Sequence, residues 1–287
     1  MKTIKKLTKV LFAFAVLAFT LSFLPSSANT VSAATKKSVT MFKGEKLSVY
    51  TIGGSIKSVK SSKKKVCSVK KKGSDAIFTA KKAGKATITI KTTRGSLVYT
   101  VTVKKNPFKV TYSGIANGNV MVTVQNKSKT GFDSINVSLT YCDSTGSPVT
   151  EKTAYVNYVG PKQKAYTQSY VYDNSIDLSK TVVNVSSWSR NLDYTYSNYS
   201  KKVNHKIIKD GDYYKLRAST NYKGSGFIYV DYDIAFLDAA GNIVRVDNQS
   251  VSLYSSKKVD TSYGSKMPEG ATSYKILSKR VMLKTYN

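Results

Sequence analysis

The chain is poor in the residues from which most active sites are built: one histidine, two cysteines, one tryptophan and 16 acids among 287 residues. A single His leaves few ingredients for a metal site or a His-dependent triad, and two Cys cannot make a disulfide-rich scaffold. His205 sits in Asn204-His205-Lys206-Ile207 with no nucleophile motif beside it, which favours a structural or exposed role. G-x-S-x-G, P-loop and zinc-binding spacings are absent. The expectation is a protein that is not an enzyme and holds no cofactor or metal. Acids are outnumbered by 46 Lys+Arg, for a formal charge of +30 with 41% hydrophobic residues. That is too apolar for a disordered polybasic tail and basic enough to favour anionic partners.

What is present starts with an address label. Lys2, Lys5, Lys6 and Lys9 precede an apolar stretch over residues 10–24, broken by Thr20 and Ser22 and ended by Pro25. The run is short for a transmembrane helix and suits a signal peptide over residues 1–34, with cleavage after Ala33 or Ala34 in Val31-Ser32-Ala33-Ala34. An uncleaved N-terminal anchor is the alternative. No Cys follows the run for lipid attachment, no second apolar stretch appears, and residues 282–287 carry no sorting signal. The mature chain is expected to be secreted, extracellular or held noncovalently at the cell envelope, with no transmembrane segment.

The rest alternates. Ala86-Thr87-Ile88-Thr89-Ile90, Val98-Tyr99-Thr100-Val101-Thr102-Val103 and Val120-Met121-Val122-Thr123-Val124 have period two and β-branched residues, and no helical period is sustained. Short strands separated by Gly, Asn, Asp and Ser predict an all-β chain of tandem sandwiches.

A repeat with an offset of 95 residues runs through the second part of the chain. Asn126 matches Asn221, and Gly131-Phe132 matches Gly226-Phe227. Ile135, Val137, Leu139 and Tyr141 match Val230, Tyr232, Ile234 and Phe236; Asp143 and Gly146 match Asp238 and Gly241; Val156 and Tyr158 match Val251 and Leu253. The period is too long for a solenoid and predicts a duplicated domain, residues 106–202 and 203–287. Asp143 and Asp238 are read as turn residues rather than an acid pair or calcium ligands, because Asp accepts bonds from following amides and Gly supplies a positive φ.

Leu139-x-Tyr141-x-Asp143-x-x-Gly146 and Ile234-x-Phe236-x-Asp238-x-x-Gly241 resemble the FxLYD-type β-sandwich domains of bacterial extracytoplasmic proteins. The resemblance implies a noncatalytic sandwich and transfers no site residues. Residues 35–105 differ: Gly44-Glu45-Lys46-Leu47, Ser61-Ser62, Val66-Cys67-Ser68-Val69 and Gly84-Lys85-Ala86-Thr87-Ile88 follow one another. This order resembles the group 2 bacterial immunoglobulin-like (Big) domain, with Val59 where that family often has Trp and Cys67 in place of a small residue. Together the resemblances imply tandem immunoglobulin-like sandwiches. Cys67 and Cys142 fall in different domains and read as separate thiols.

Charge is concentrated in one segment. Residues 35–105 hold 19 Lys+Arg against Glu45 and Asp75, a net +17, while residues 106–202 and 203–287 carry only +4 and +5. The candidate ligand-binding lysines are Lys57, Lys60, Lys63, Lys64, Lys65, Lys70, Lys71, Lys72, Lys81, Lys82 and Lys85. Three readings compete: a solvated surface, docking to an anionic envelope polymer or polysaccharide, and nonspecific nucleic-acid binding. Few aromatics and one Arg, Arg94, argue against the last. Tyr166, Tyr170 and Tyr172, and Tyr194, Tyr196 and Tyr199, form two later clusters that fit either sandwich packing or stacking on sugar; Trp188 beside Arg190 is similarly open. Asp231 and Asp233 flank Tyr232, and a glycosidase pair would need a cleft the pattern does not show. The reading is a noncatalytic surface or matrix binding and adhesion module whose partners are an anionic cell-wall polymer or polysaccharide and other surface proteins. Its rival is a structural spacer with no specific ligand.

Overall fold

The computed structural model describes residues 34–50, 54–191 and 194–286; the expected signal peptide lies outside the described residues. The chain is all-β, with three single-turn 3-10 helices among the described residues. In the N-terminal segment the strands are β1 (Thr35–Phe42), β2 (Lys46–Tyr50), β3 (Ile56–Ser61), β4 (Cys67–Lys72), β5 (Asp75–Ala80), β6 (Gly84–Thr92) and β7 (Gly95–Lys104). They form a sheet of order β1-β7-β6-β3 and a sheet of order β2-β5-β4. Next come β8 (Phe108–Gly114), β9 (Val120–Asn126), β10 (Phe132–Cys142), β11 (Pro148–Val159), β12 (Lys164–Ser169) and β13 (Val182–Ser189), in sheets β11-β10-β13 and β12-β9-β8. The last group is β14 (Tyr194–Asn198), β15 (Val203–Asp210), β16 (Tyr213–Thr220), β17 (Gly226–Leu237), β18 (Ile243–Tyr254), β19 (Val259–Thr261), β20 (Ser265–Lys266) and β21 (Ser273–Tyr286). Its sheets are β14-β21-β17-β18 and β15-β16-β19, with β20 pairing β16.

Two compact units result. One gathers Leu47–Phe78 and Lys85–Thr102 with residues 34–39; the other takes Thr40–Lys46, Thr79–Gly84 and the chain from Val103 onward. In the first, alternation along β5 and β6 buries Ala76, Phe78, Ile88 and Ile90, and Phe78 meets Tyr99 edge-on with centroids 5.3 Å apart. Cys67 is buried there and Val59 half-buried.

In the second unit the same period builds two cores. Ile135, Val137, Leu139 and Tyr141 of β10 pack with Val120, Val122 and Val124 of β9, and Phe42 joins them. Ile228, Val230, Tyr232, Ile234 and Phe236 of β17 pack with Leu216 and Ala218 of β16 and Val251 and Leu253 of β18. Strand order matches between the two groups: β11-β10-β13 corresponds to β18-β17-β21, and β12-β9-β8 to β19-β16-β15. Phe132 pairs with Val159 as Phe227 pairs with Tyr254, both steps of 95 residues.

Two positions depart from the 95-residue match. Phe108 pairs with Asn126, but Val203 pairs with Thr220, so Thr220 rather than Asn221 occupies the place of Asn126. The chemistry explains the substitution: Asn126 Oδ1 accepts the Ser128 amide at 2.9 Å, and Thr220 Oγ1 accepts the Tyr222 amide at 3.2 Å, two side chains closing the same kind of local turn. The second departure is Tyr158. Leu253 is buried in its core, whereas Tyr158 adopts φ 50°, turns its ring outward and leaves the buried position to Val159.

Candidate functional site

All eleven candidate lysines are exposed. Lys57 and Lys60 are on β3, Lys63-Lys64-Lys65 fill the turn into β4, Lys70-Lys71-Lys72 end β4, Lys81-Lys82 occupy the bend after β5, and Lys85 begins β6. The turn is locally built: the Lys63 carbonyl accepts the Val66 and Cys67 amides at 2.9 and 3.0 Å, and the Ser62 amide donates to the Thr87 carbonyl at 2.9 Å. Lys71 Nζ donates to the Ile56 carbonyl at 2.6 Å, so this lysine is partly committed to the fold. Tyr50, Ser55, Lys71, Thr93 and Arg94 line an open cleft of about 580 Å³, which places two cations beside one exposed ring.

The two acids of residues 35–105 do not neutralise that charge. Glu45 is 6% exposed and is spent on Arg190, whose Nε donates to it at 2.7 Å. Asp75 accepts the Ser48 hydroxyl at 2.5 Å. Among the described residues none of the eleven lysines forms an ion pair.

Trp188 and Arg190 turn out to be packing residues. Trp188 meets Phe108 edge-on at 5.3 Å, and its ring lies 3.3 Å from where a Cβ on Gly44 would stand. Arg190 lies over the rings of Phe42 and Phe132, donates to Glu45 and also bonds the Thr40 carbonyl. Tyr196 is buried; its hydroxyl donates to Asp133 at 2.9 Å and accepts the Asn191 amide at 2.9 Å, and burial raises its pKa. Tyr170 and Tyr172 remain exposed with nearly parallel rings.

Asp231 and Asp233 open onto no cleft. They point outward from β17 and are buried, and the Tyr166 amide of β12 donates to Asp233 at 2.8 Å. Arg280 pairs with Asp233, which also accepts from Ser278 Oγ at 2.6 Å and Asn248 Nδ2 at 2.8 Å. Neither oxygen of Asp231 has a hydrogen bond of good geometry, and the Ser250 hydroxyl opposite it on β18 helps only weakly. Burial pushes this carboxyl up to about 7, against the lowering pull of Arg280 and Ser250. His205 Nδ1 lies 2.6 Å from the Tyr232 hydroxyl, and burial, then Lys279, lower its pKa.

Asp143 and Asp238 each organise a turn. Asp143 Oδ1 accepts the Thr145 and Ser147 amides, and Asp238 Oδ1 the Ala240 and Asn242 amides, all at 2.8–3.0 Å. Side-chain hydrogen bonds from the Thr145 hydroxyl to Asp143 and from Asn242 Nδ2 to Asp238, together with these amides, hold both carboxyls below their ordinary value. Gly146 and Gly241 follow at φ 86° and 83°. Cys67 and Cys142 are both buried. Among the described residues no His, Cys, Asp or Glu cluster could hold a metal ion, and no helix is long and apolar enough to cross a membrane. No protein-family model matches the chain, and no curated protein is similar to it.

Proposed function

We propose that the protein is a noncatalytic binding and adhesion module, exported to the cell surface, whose lysine-rich segment docks to an anionic envelope polymer such as a teichoic acid or acidic polysaccharide. The observation that carries this reading is the unbalanced charge: eleven exposed lysines without an ion pair, in a segment whose two acids are engaged elsewhere. Compact ammonium groups on turns suit diffuse attraction to a flexible polyanion better than bidentate reading of bases. We assign residues 35–105 to a Big-like domain and residues 106–202 and 203–287 to a duplicated FxLYD-like pair. The order of strands and the Asp-x-x-Gly turns support that assignment.

The test is retention of the chain without residues 1–34 on immobilised teichoic acid, acidic polysaccharide and duplex DNA across a salt series. Binding through the lysines weakens steeply with salt, because each neutralised phosphate releases condensed counterions; for duplex DNA the log–log slope is about −0.9 per contact. Lys60, Lys63, Lys64, Lys65, Lys70 and Lys72 changed together to Gln remove six charges and spare Lys71 with its bond to Ile56. Lost retention of this variant is the expected result. Equal retention of variant and parent on every polyanion sinks the reading and leaves the spacer, and selective retention on DNA transfers it to nucleic acid.

A further inference from the structure

Of the 19 Lys+Arg in residues 35–105, only Arg94 is an arginine. It stands in the two-residue turn between β6 and β7 and lines the cleft of about 580 Å³ that Lys71 also lines. Hydrogen bonds between neighbouring segments build this cleft. The Ser55 amide donates to Thr93 Oγ1 at 3.1 Å and the Thr93 amide to the Ser55 carbonyl at 3.0 Å, fastening the entry to β3 against the β6–β7 turn. A Cβ on Gly54 would stand 2.8 Å from Thr93 Oγ1, so the two segments meet as closely as a glycine permits. Thr92 Oγ1 accepts the Arg94 amide at 3.2 Å and donates to the Gly95 carbonyl at 3.0 Å, which fixes the backbone that carries the guanidinium.

The two cations of the cleft are prepared in different ways. Among the described residues, Lys71 is the only one of the eleven candidate lysines whose ammonium is held by a hydrogen bond, to the Ile56 carbonyl at 2.6 Å. An ammonium has three donors, so two remain for a ligand while the fold sets its position. The Arg94 side chain is exposed and, among the described residues, makes no hydrogen bond or ion pair. No acid among the described residues lines the cleft. Asp75, which follows Ser74, accepts the Ser48 and Ser74 hydroxyls.

We propose that this cleft is a subsite for one phosphodiester group, held between the Arg94 guanidinium and the Lys71 ammonium. The proposal rests on the polyanion reading and narrows the polymer to a polyol-phosphate chain. The planar fork of Arg94 takes two oxygens side by side, and Lys71 adds a compact charge from a separate strand. A tetrahedral phosphate presents oxygens outside the plane of the fork, whereas the two oxygens of a carboxylate are filled by the fork alone. A cleft of this volume takes a small polyol unit beside the phosphate. The subsite adds a saturable contact to the diffuse attraction of the other lysines.

An amide NMR titration of the chain without residues 1–34, at physiological salt, tests the subsite with glycerophosphoglycerol, glycerol 3-phosphate and galacturonate as probes. Glycerophosphoglycerol is expected to give saturating shifts centred on Ser55, Lys71, Thr93 and Arg94. Arg94→Lys keeps the charge and removes the fork, and weakens this binding about tenfold, equivalent to one charged hydrogen bond. The six-lysine variant loses retention on teichoic acid yet keeps the titration at the cleft. Teichoic acid retention by the parent without saturating shifts at the cleft, or equal titration of Arg94→Lys and parent, overturns the subsite and leaves the polyanion reading standing. Saturating shifts without retention on any polyanion remove that reading and leave a phosphodiester site. Galacturonate binding as tight as that of glycerophosphoglycerol, or binding of glycerol 3-phosphate alone, overturns the proposal in favour of an unselective anion cleft or a site for free monoesters.

Discussion

Arg190 shows how a charged residue can be structural. It is 7% exposed, its partner Glu45 is 6% exposed, and two aromatic rings flank the guanidinium. Removing one member of such a pair strands the other in a dry site, which typically costs about 3–5 kcal/mol, whereas replacing both by apolar residues costs much less. Arg190→Ala is therefore expected to lower the midpoint of denaturant unfolding markedly, and Arg190→Met with Glu45→Leu to recover much of the loss. Gly131 is a steric counterpart: a Cβ there would stand 2.8 Å from Tyr196 Cβ and 2.9 Å from Met282 Sδ. Gly131→Ala should lower thermal stability by about 1–3 kcal/mol, the usual cost of overpacking, read by calorimetry. The sequence left Trp188 and Arg190 open because both readings need exposed and buried forms of the same side chains, and only neighbours such as Phe42 and Phe108 choose between them.

At the scale of elements, the turns were legible and the outward faces of strands were not. Asp143 and Asp238 carry their whole explanation within five residues, since donors and acceptor are local. Gly146→Ala and Gly241→Ala should each cost about 1 kcal/mol, because φ near 85° excludes an ordinary side chain; the matched losses are measurable in urea titrations. Asp231 is different: alternation along β17 predicts that it leaves the core, yet it is buried. Its carboxyl is raised to about 7 from an ordinary 3.8. The folded chain thus holds on Asp231 a proton that the unfolded chain releases, so this group's contribution to stability is full below about pH 4 and is lost as pH rises toward 7, on the order of 4 kcal/mol in total. Asp231→Asn should flatten this decline, melting higher than the parent at pH 8 and close to it at pH 4 in a thermal series.

For the whole molecule, the consequential observation is which segments share a unit. Thr40–Lys46 and Thr79–Gly84 belong with Val103–Asn287, and Phe42 is part of the core around Val122, Phe132 and Ile135. A chain shortened to residues 106–287 loses Phe42 and leaves Arg190 without Glu45. It should melt below the corresponding transition of the longer chain and gain stability from Arg190→Met, a comparison that differential scanning calorimetry makes directly.

The all-β class, the strand positions and the paired Asp-x-x-Gly turns were determined by the sequence itself, because period two, β-branched residues and local turn chemistry act over a few neighbours. The lysine surface was equally visible, since charge runs are written in the chain and solvent accepts them. Three matters were decided only by tertiary structure: that Thr220 stands where Asn126 does, that Tyr158 turns out to meet Tyr229, and that Asp231, Asp233 and Arg280 are buried, with Asp233 held by an amide of β12. Each depends on register between strands or on a face covered by a distant element. Register is set by the fit of whole sheets and burial by whatever lies across them, so no local window of sequence contains either.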